Sequence, residues 1–415
     1  MKKRIIYTTI GLCSVILLSA CSASKSNDNS KSNKQLTVAV DKLYVKYMND
    51  IKKDFEKENK IKLNVKVVDQ SDVITNLPTD GPTGAGPDVL MAPYDRVGGL
   101  STDGHISEIK LKNSDQYEEK LKQLVTIDGK IYGAPNVIET LVLYYNKEFL
   151  KGAPKTFEEL EALQNDPKYS FETEKGKNTA FLANWTNFYF AYGLTAGYGG
   201  YAFGENGTKA SDIGLAANDS QKALEYAKQW YDTWPKGMQD TTKAGNFVKD
   251  QFLSKKTAAI IEGPWVAASL KEAKLNFGVS EIPVLPNGKK YSPFAGGKAW
   301  VVSNYSKNKK ASEKFISFVT SFENQKKFYD STQEIPATTK AREYALDQKN
   351  ELTTAVIKQF NSSKPMPNIP EMAEVWGPSA TMYFDAVSGK KIPQNAIRDA
   401  LKTIKDTIEQ KYGKN

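Results

Sequence analysis

Three short apolar runs and one amphipathic helix near the start of this chain decide what it can fold into. "KQLTVAV" (34–40) and "IKLNVKVV" (61–68) read as strands, the second alternating Ile61, Leu63, Val65 and Val67 with polar residues. Between them, "YVKYMNDIKKDFEKEN" sets Tyr44, Tyr47, Met48, Ile51 and Phe55 at three- and four-residue spacing, one apolar face of a helix. "PDVLMAP" (87–93) is a third strand, apolar through its centre. Strands alternating with a helix form a βαβ unit, and such units build parallel sheets covered by helices.

Later segments continue the α/β pattern. "TLVLYYNKEFL" (140–150) reads as a strand leading into a helix start, and "TAAIIEG" (257–263), "LNFGVSEIP" (275–283) and "KAWVVSN" (298–304) as strands. "SEKFISFVTSFENQKKFYD" (312–330) reads as helical. The last helix has Pro393 in its first turn and Ile397, Leu401, Ile404 and Ile408 on one face. The chain has 415 residues, and a single core rarely grows beyond about 250–300, so two lobes are expected. No repeat and no long linker follows residue 34, which implies several crossovers joining the lobes. A cleft between them is then the default ligand site.

The N-terminus states a destination. "MKKRIIYTTIGLCSVILLSACSAS" runs from basic to apolar to small residues, the order of an export signal, and its apolar part is short for a spanning helix. Residues 1–20 form that signal, and cleavage leaves Cys21 first, which resembles a bacterial lipoprotein whose cysteine receives lipid (palmitate among the acyl groups). Residues 21–34 are rich in Ser, Asn and Lys, and read as a flexible tether. Cys13 and Cys21 are the only cysteines and His105 the only histidine, so thiolate metal clusters and multi-histidine metal sites are excluded, and the sequence argues against a histidine-based triad. Net charge is +9, falling to +6 without residues 1–20, and no arginine-rich run is present, which argues against nucleic acid. No metal and no cofactor are expected.

Polar and aromatic candidates stand beside turns. Asp41 and Lys42 follow the first strand, where a carboxylate either caps the next helix or points into a crevice. Tyr94, Asp95 and Arg96 follow a buried strand and precede Gly98 and Gly99, which let the backbone approach something closely. A carboxylate accepts and a guanidinium donates, so the Asp–Arg pair suits a ligand rich in hydroxyls. "EGPWVAASL" places Trp265 at a Gly-Pro turn, and "PNIPEMAEVWGPSA" places Trp376 in a proline-bracketed segment. "FLANWTNFYFAYGL" interleaves Trp185, Phe188, Tyr189, Phe190 and Tyr192 with Asn184 and Asn187. Flat rings beside polar groups suit a sugar: pyranose C–H faces lie on the rings and hydroxyls meet the polar atoms.

"GPDVLMAPYDRVGG", "ETLVLYYNKEFL", "GGYAF", "EGPW" and "MPNIPEMAEVW" occur in this order over about residues 35 to 412. The chain thereby resembles the maltose/maltodextrin-binding proteins, extracytoplasmic receptors of ATP-driven sugar importers, in their Gram-positive lipoprotein form. The resemblance implies a two-lobe periplasmic-binding-protein-like α/β fold (type II), with the ligand cleft between lobes joined by multiple crossovers near Glu139, Gly296 and residue 345. The implied lobes are 35–139 plus 297–345, and 140–296 plus 346–415. Asp41 with Lys42, Asp95 with Arg96, and Glu139 are implied to bond sugar hydroxyls, while Tyr189, Trp265 and Trp376 stack on sugar rings. Four family positions depart: a tryptophan is Ala92, a glutamate is Asn187, and a Tyr and an Arg are Gly377 and Ala380. Tyr94, Trp185 and Lys298 are candidates to fill those gaps.

The implied function is capture of maltose or maltodextrins outside the cell, by a monomer lipid-anchored at the membrane's outer face, and delivery to an ABC-type permease. Two alternatives stand: a receptor for a different oligosaccharide, and a secreted glycoside hydrolase using two of Asp41, Asp95 and Glu139. The basic neighbours Lys42 and Arg96 are expected to keep Asp41 and Asp95 ionised, which would spoil a general acid.

Overall fold

Residues 35–93 fold as their spacing predicts. Gln35–Val40 pairs in parallel with Lys62–Val67 on one side and with Val89–Pro93 on the other. Helix Val45–Asn59 buries Tyr47, Met48, Ile51 and Phe55. Val89 to Ala92 are all buried because this strand lies in mid-sheet under helices. Lys62–Val67 lies at the sheet's edge, so of its alternating apolar residues only Leu63 is fully buried, and Val67 is exposed. The computed structural model describes residues 35–413; the export signal, Cys21 and the tether lie outside the described residues.

The sheet is mixed rather than all-parallel. Phe294–Val302 runs antiparallel between Val89–Pro93 and Ala134–Glu139, and a short strand, Ile335–Pro336, closes the far side. This inserted strand starts four residues before the "KAWVVSN" run and is buried throughout. A second sheet has the order Phe277–Ser280, Val142–Asn146, Ala259–Glu262, Phe181–Leu182. The chain passes from the first sheet to the second between Glu139 and Val142, and returns between Ser280 and Phe294. It leaves again after Pro336, and helix Glu351–Ser362 packs on Phe277–Ser280.

Two local expectations are corrected. After Asn146 the chain makes a turn, not a helix start. Residues 312–330 form two helices, Lys309–Val319 and Phe322–Thr332, not one. The break falls where two hydroxyls serve as substitute donors: Thr320 Oγ1 donates to the Ile316 carbonyl at 2.7 Å and Ser321 Oγ to the Phe318 carbonyl at 2.7 Å.

Val89–Pro93 leads directly into helix Tyr94–Thr102, so Asp95 stands in a first helical turn rather than a loop. The close approach made possible by the glycines is to the protein itself. A Cβ on Gly98 would lie 1.8 Å from the Asn368 carbonyl oxygen, whereas one on Gly99 would meet nothing within 4 Å. Asn368 in turn donates from Nδ2 to the Gln123 carbonyl at 3.0 Å. Helix Tyr94–Thr102 and the "MPNIPEM" segment are thus locked together.

The two glycines should therefore respond oppositely to alanine. Gly98→Ala forces a backbone shift and should lower stability by about 1–3 kcal/mol. Gly99→Ala should be neutral or stabilise by up to about 1 kcal/mol, because alanine is the better helix former. Urea unfolding of both variants reads the difference; equal midpoints would show that the contact with Asn368 is not tight.

Candidate functional site

Parallel strands end on one edge of a sheet, and here that edge gathers charge. Asp41 follows Val40, Asp95 follows Pro93 by two residues, and Glu139 ends its own strand. The antiparallel insert starts on the same edge: its Gly296 pairs with Glu139 and its Lys298 with Pro93. In the second sheet Val142 lies opposite Glu262, and Leu182 beside Ile260. Trp265 and helix Phe188–Gly197, which carries Tyr189, therefore issue from the edge that the chain enters from Glu139.

Lys298 is the hub of the charged side. Its ammonium lies 2.8 Å from Glu334 Oε1, 2.9 Å from Tyr44 Oη and 3.1 Å from Glu139 Oε2. Tyr44 Oη donates to Glu334 Oε2 at 2.6 Å. Burial opposes the Lys298 charge, yet Glu139, Glu334 and Tyr44 outweigh it and hold its pKa well above the ordinary value. Burial pushes the Glu139 carboxyl up, and Lys298 partly offsets this. Asp41 occupies the cap position before the turn Lys42–Tyr44 but makes no capping bond there; its Oδ1 accepts from the Gln70 amide at 3.2 Å. Burial raises its pKa too.

The aromatic side converges on Tyr189. Its ring centre lies 6.2 Å from Trp265 and 6.4 Å from Trp376, and Phe294 lies 5.7 Å from Trp376. The Trp265 indole lies over Gly263, where a Cβ would come within 2.1 Å of the ring. Its Nε1 donates to Glu262 Oε2 at 3.1 Å, and the Gly263 amide donates to the same oxygen at 3.2 Å. Burial nevertheless pushes the Glu262 carboxyl up to about 7. Burial also pushes Asp95 up to about 6, against the pull of Arg96 and the Trp376 indole. The expectation that Arg96 keeps Asp95 ionised is thus corrected: desolvation is the larger effect. Two buried polar atoms here lack hydrogen-bond partners, Tyr189 Oη and Glu139 Oε2. The Tyr189 hydroxyl lies 3.8 Å from where a Gly296 Cβ would be, beside Glu139's strand partner.

Of the expected residues, Asp41, Asp95, Glu139, Tyr189, Trp265 and Trp376 come together. Lys42 is exposed and Arg96 half-buried beside them. The three gap-filling candidates, Tyr94, Trp185 and Lys298, and the departing Asn187 have contacts within the protein. Tyr94 is 0% exposed and its hydroxyl donates to the Val137 carbonyl at 3.0 Å, so it is core. Trp185, also 0% exposed, packs against Trp230 and Trp234 and donates from Nε1 to Tyr291 Oη at 3.1 Å. A fully buried aromatic contributes about 1.5–3 kcal/mol to the fold, which is the reason for its place. Asn187 spends its Oδ1 capping its helix, accepting from the Tyr189 amide at 3.0 Å. Lys298 finds its acceptors within the protein and acts through Glu139. Sequence reasoning missed Tyr44, Glu334, Glu262 and Phe294. Tyr44 had been assigned to a helix face, and "TQEIP" around Glu334 carries no motif.

Residues 50–355 match the family of bacterial extracellular solute-binding proteins, and the chain belongs to that family. It is 52% identical over 398 residues to the maltodextrin-binding protein MdxE of Bacillus subtilis, covering 96% of this chain and 95% of that one. It is likewise 52% identical over 417 residues to a maltooligosaccharide ABC transporter solute-binding lipoprotein of Streptococcus pneumoniae, covering 100% and 99%. The crystal structure of MalX from Streptococcus pneumoniae in complex with maltopentaose superposes with a TM-score of 0.88 at 54% identity, over 90% of this chain and 100% of that one. The two-lobe α/β fold of the solute-binding proteins is therefore the fold of this chain.

Removing the hub cation should be costly. Lys298→Met leaves Glu139 and Glu334 facing each other unpaired, and should lower stability at neutral pH by about 3–5 kcal/mol, with partial recovery on acidification as a carboxylate protonates. Unfolding measured from acid to neutral pH tests this; a loss independent of pH would refute the electrostatic account. Glu262 gives a second expectation. Its pKa rises from an ordinary 4.5 to about 7 on folding, so the unfolded chain loses this proton first and the group's contribution to stability falls as pH rises through that window. Glu262→Gln removes that share, and its melting temperature should decline less than the wild type's over the same range.

Proposed function

We propose that this protein binds maltodextrins outside the cell and delivers them to an ABC-type permease for import. The observation that carries the reading is the meeting of the Tyr189, Trp265 and Trp376 rings with the Asp41, Asp95 and Glu139 carboxylates, where the buried Tyr189 Oη has no hydrogen-bond partner among the described residues and the buried Glu139 Oε2 has only the Lys298 ammonium at 3.1 Å. Such atoms are costly to leave unpaired, and a sugar hydroxyl satisfies them. The names of the B. subtilis and S. pneumoniae relatives support the ligand class and the importer.

In this reading Asp41 with Lys42 and Asp95 with Arg96 take hydroxyls from one side, and the three rings stack on the sugar from the other. The lobes are residues 35–139 plus 297–345, and 140–296 plus 346–415. Binding favours the closed arrangement because only there does the ligand touch both lobes. The protein acts as a monomer, held at the outer face of the membrane by lipid on Cys21, and performs no catalysis.

One observation favours a second reading. Asp95, held near pH 6 by burial, has the raised pKa that a glycoside hydrolase needs in its general acid. Reducing ends released from maltotetraose on long incubation would establish that activity; intact sugar excludes it.

Titration of intrinsic tryptophan fluorescence tests the binding reading. Maltotriose and longer maltodextrins should produce a saturable change, and cellobiose and raffinose little. Trp265→Ala should weaken binding by about tenfold or more, about 1.4 kcal/mol, and Gly263→Ala should do likewise by displacing the indole. Unchanged affinity in both variants would remove the rings from the site.

A further inference from the structure

Glu334 and Tyr44 have no place in the sugar contacts, yet they are among the most completely buried polar groups near the site: Glu334 is 0% and Tyr44 1% exposed. Glu334 sits just before the short strand Ile335–Pro336, far from Glu139 in the chain. An ammonium has three donors, and the three acceptors around Lys298 are of unequal quality. Glu334 Oε1 at 2.8 Å and Tyr44 Oη at 2.9 Å are hydrogen bonds. Glu139 Oε2, at 3.1 Å, is the longest of the three contacts, an ion pair whose angles fall short of a well-formed hydrogen bond. Tyr44 is fixed in role by this arrangement, accepting from Lys298 and donating to Glu334 Oε2 at 2.6 Å. The Glu334–Tyr44 pair therefore draws the ammonium toward itself and away from Glu139.

We propose that Glu334 and Tyr44 are positioning residues that draw the Lys298 ammonium toward themselves and away from a close hydrogen bond with Glu139, leaving the Glu139 carboxyl available to accept from a sugar hydroxyl. This rests on the maltodextrin reading of the site. Three donors shared among two strong acceptors and one off-axis carboxylate give Glu139 the stabilising charge without a close hydrogen bond to its lone pairs. Without Glu334's negative charge, the ammonium turns to Glu139 and takes a lone pair from it, so that the carboxyl accepts less well from a sugar hydroxyl. The charged and titratable groups facing Glu139 are Lys298, Glu334, Asp95, Tyr94 and Tyr189, with Asp41 facing Lys298 and Glu334. Of these, Glu334 and Lys298 push the Glu139 proton affinity in opposite directions, Glu334 up and Lys298 down.

Calorimetric titration of maltotriose into wild type, Glu334→Gln and Tyr44→Phe, each from about pH 4.5 to 8, tests the proposal. Glu334→Gln keeps the shape and removes the charge. Its affinity at neutral pH should fall about tenfold. The acid limb of its affinity profile should move to lower pH by about half a unit or more, because Glu139 loses a like charge and gains a closer bond. Tyr44→Phe, which removes a single hydroxyl and guards against a folding failure of the first variant, should shift the limb the same way with an affinity loss of about three- to fivefold. A merely structural role would lower the melting temperature and leave the limb where it is. Folded variants with wild-type affinity and an unmoved limb overturn the proposal and leave the maltodextrin reading intact. A wild type that takes no maltotriose overturns both.

Discussion

The antiparallel strand Phe294–Val302 is the piece on which the site is hung. Three parallel strands and a fourth would gather their C-terminal ends on one edge without it, but beside Asp41, Asp95 and Glu139 the edge would carry no buried cation, since Lys42 is exposed and Arg96 half-buried. The inserted strand enters from the second sheet and brings to the same edge a cation, Lys298, and an aromatic ring, Phe294. Its ladder with Ala134–Glu139 sets Gly296 against Glu139, and its ladder with Val89–Pro93 sets Lys298 against Pro93. Backbone hydrogen bonds thus determine which side chains meet, and the electrostatics follow from that register. A slip of one residue would turn Lys298 to the opposite face of the sheet and leave two buried carboxylates with no counter-charge.

The two halves of the site obey different physics. On the first sheet, burial weakens solvent screening, so each carboxylate's proton affinity depends on its neighbours: Lys298 partly offsets the rise at Glu139, and Arg96 does not prevent one at Asp95. On the second, ring planes are placed by sterics and single hydrogen bonds. Gly263 leaves room for the Trp265 indole, and Glu262 fixes it by its Nε1. The raised proton affinities of Asp95 and Glu262 come first from the burial of their carboxyls. Buried carboxylates short of donors cost stability, and hydroxyls supplied by a ligand lower that cost.

Sequence periodicity made the scaffold legible where elements are half-buried. The face of helix Val45–Asn59 and the strands Gln35–Val40 and Val89–Pro93 could be read from spacing alone. The antiparallel insertion could not, because spacing carries no strand direction. The break at Thr320 and Ser321 was hidden because both residues sit within an unbroken apolar pattern. At the site, residues beside turns or in acid–base pairs stood out. Glu334 did not, since a single glutamate in "TQEIP" looks like surface until the fold sets it against Tyr44 and Lys298. Trp185 misled for the converse reason: its asparagine-rich surroundings resemble a binding surface, while its ring belongs to the core with Trp230 and Trp234.

The division of labour between the sheets has a consequence for how such a site is occupied. Asp41, Asp95 and Glu139 stand on one sheet's edge with Phe294, while Tyr189 and Trp265 issue from the other's with Glu262. Ala92, where the resemblance implied a ring, is 0% exposed and paired with Ala299 in mid-sheet. A ligand that satisfied only the acids would gain charge-assisted hydrogen bonds but no stacking; one that lay only on the rings would leave Glu139 and Asp95 unpaired. The helix Tyr94–Thr102, packed on Asn368 through Gly98, ties Asp95 to the segment that carries Trp376, and the acid and the indole that it contacts are thereby held in fixed relation.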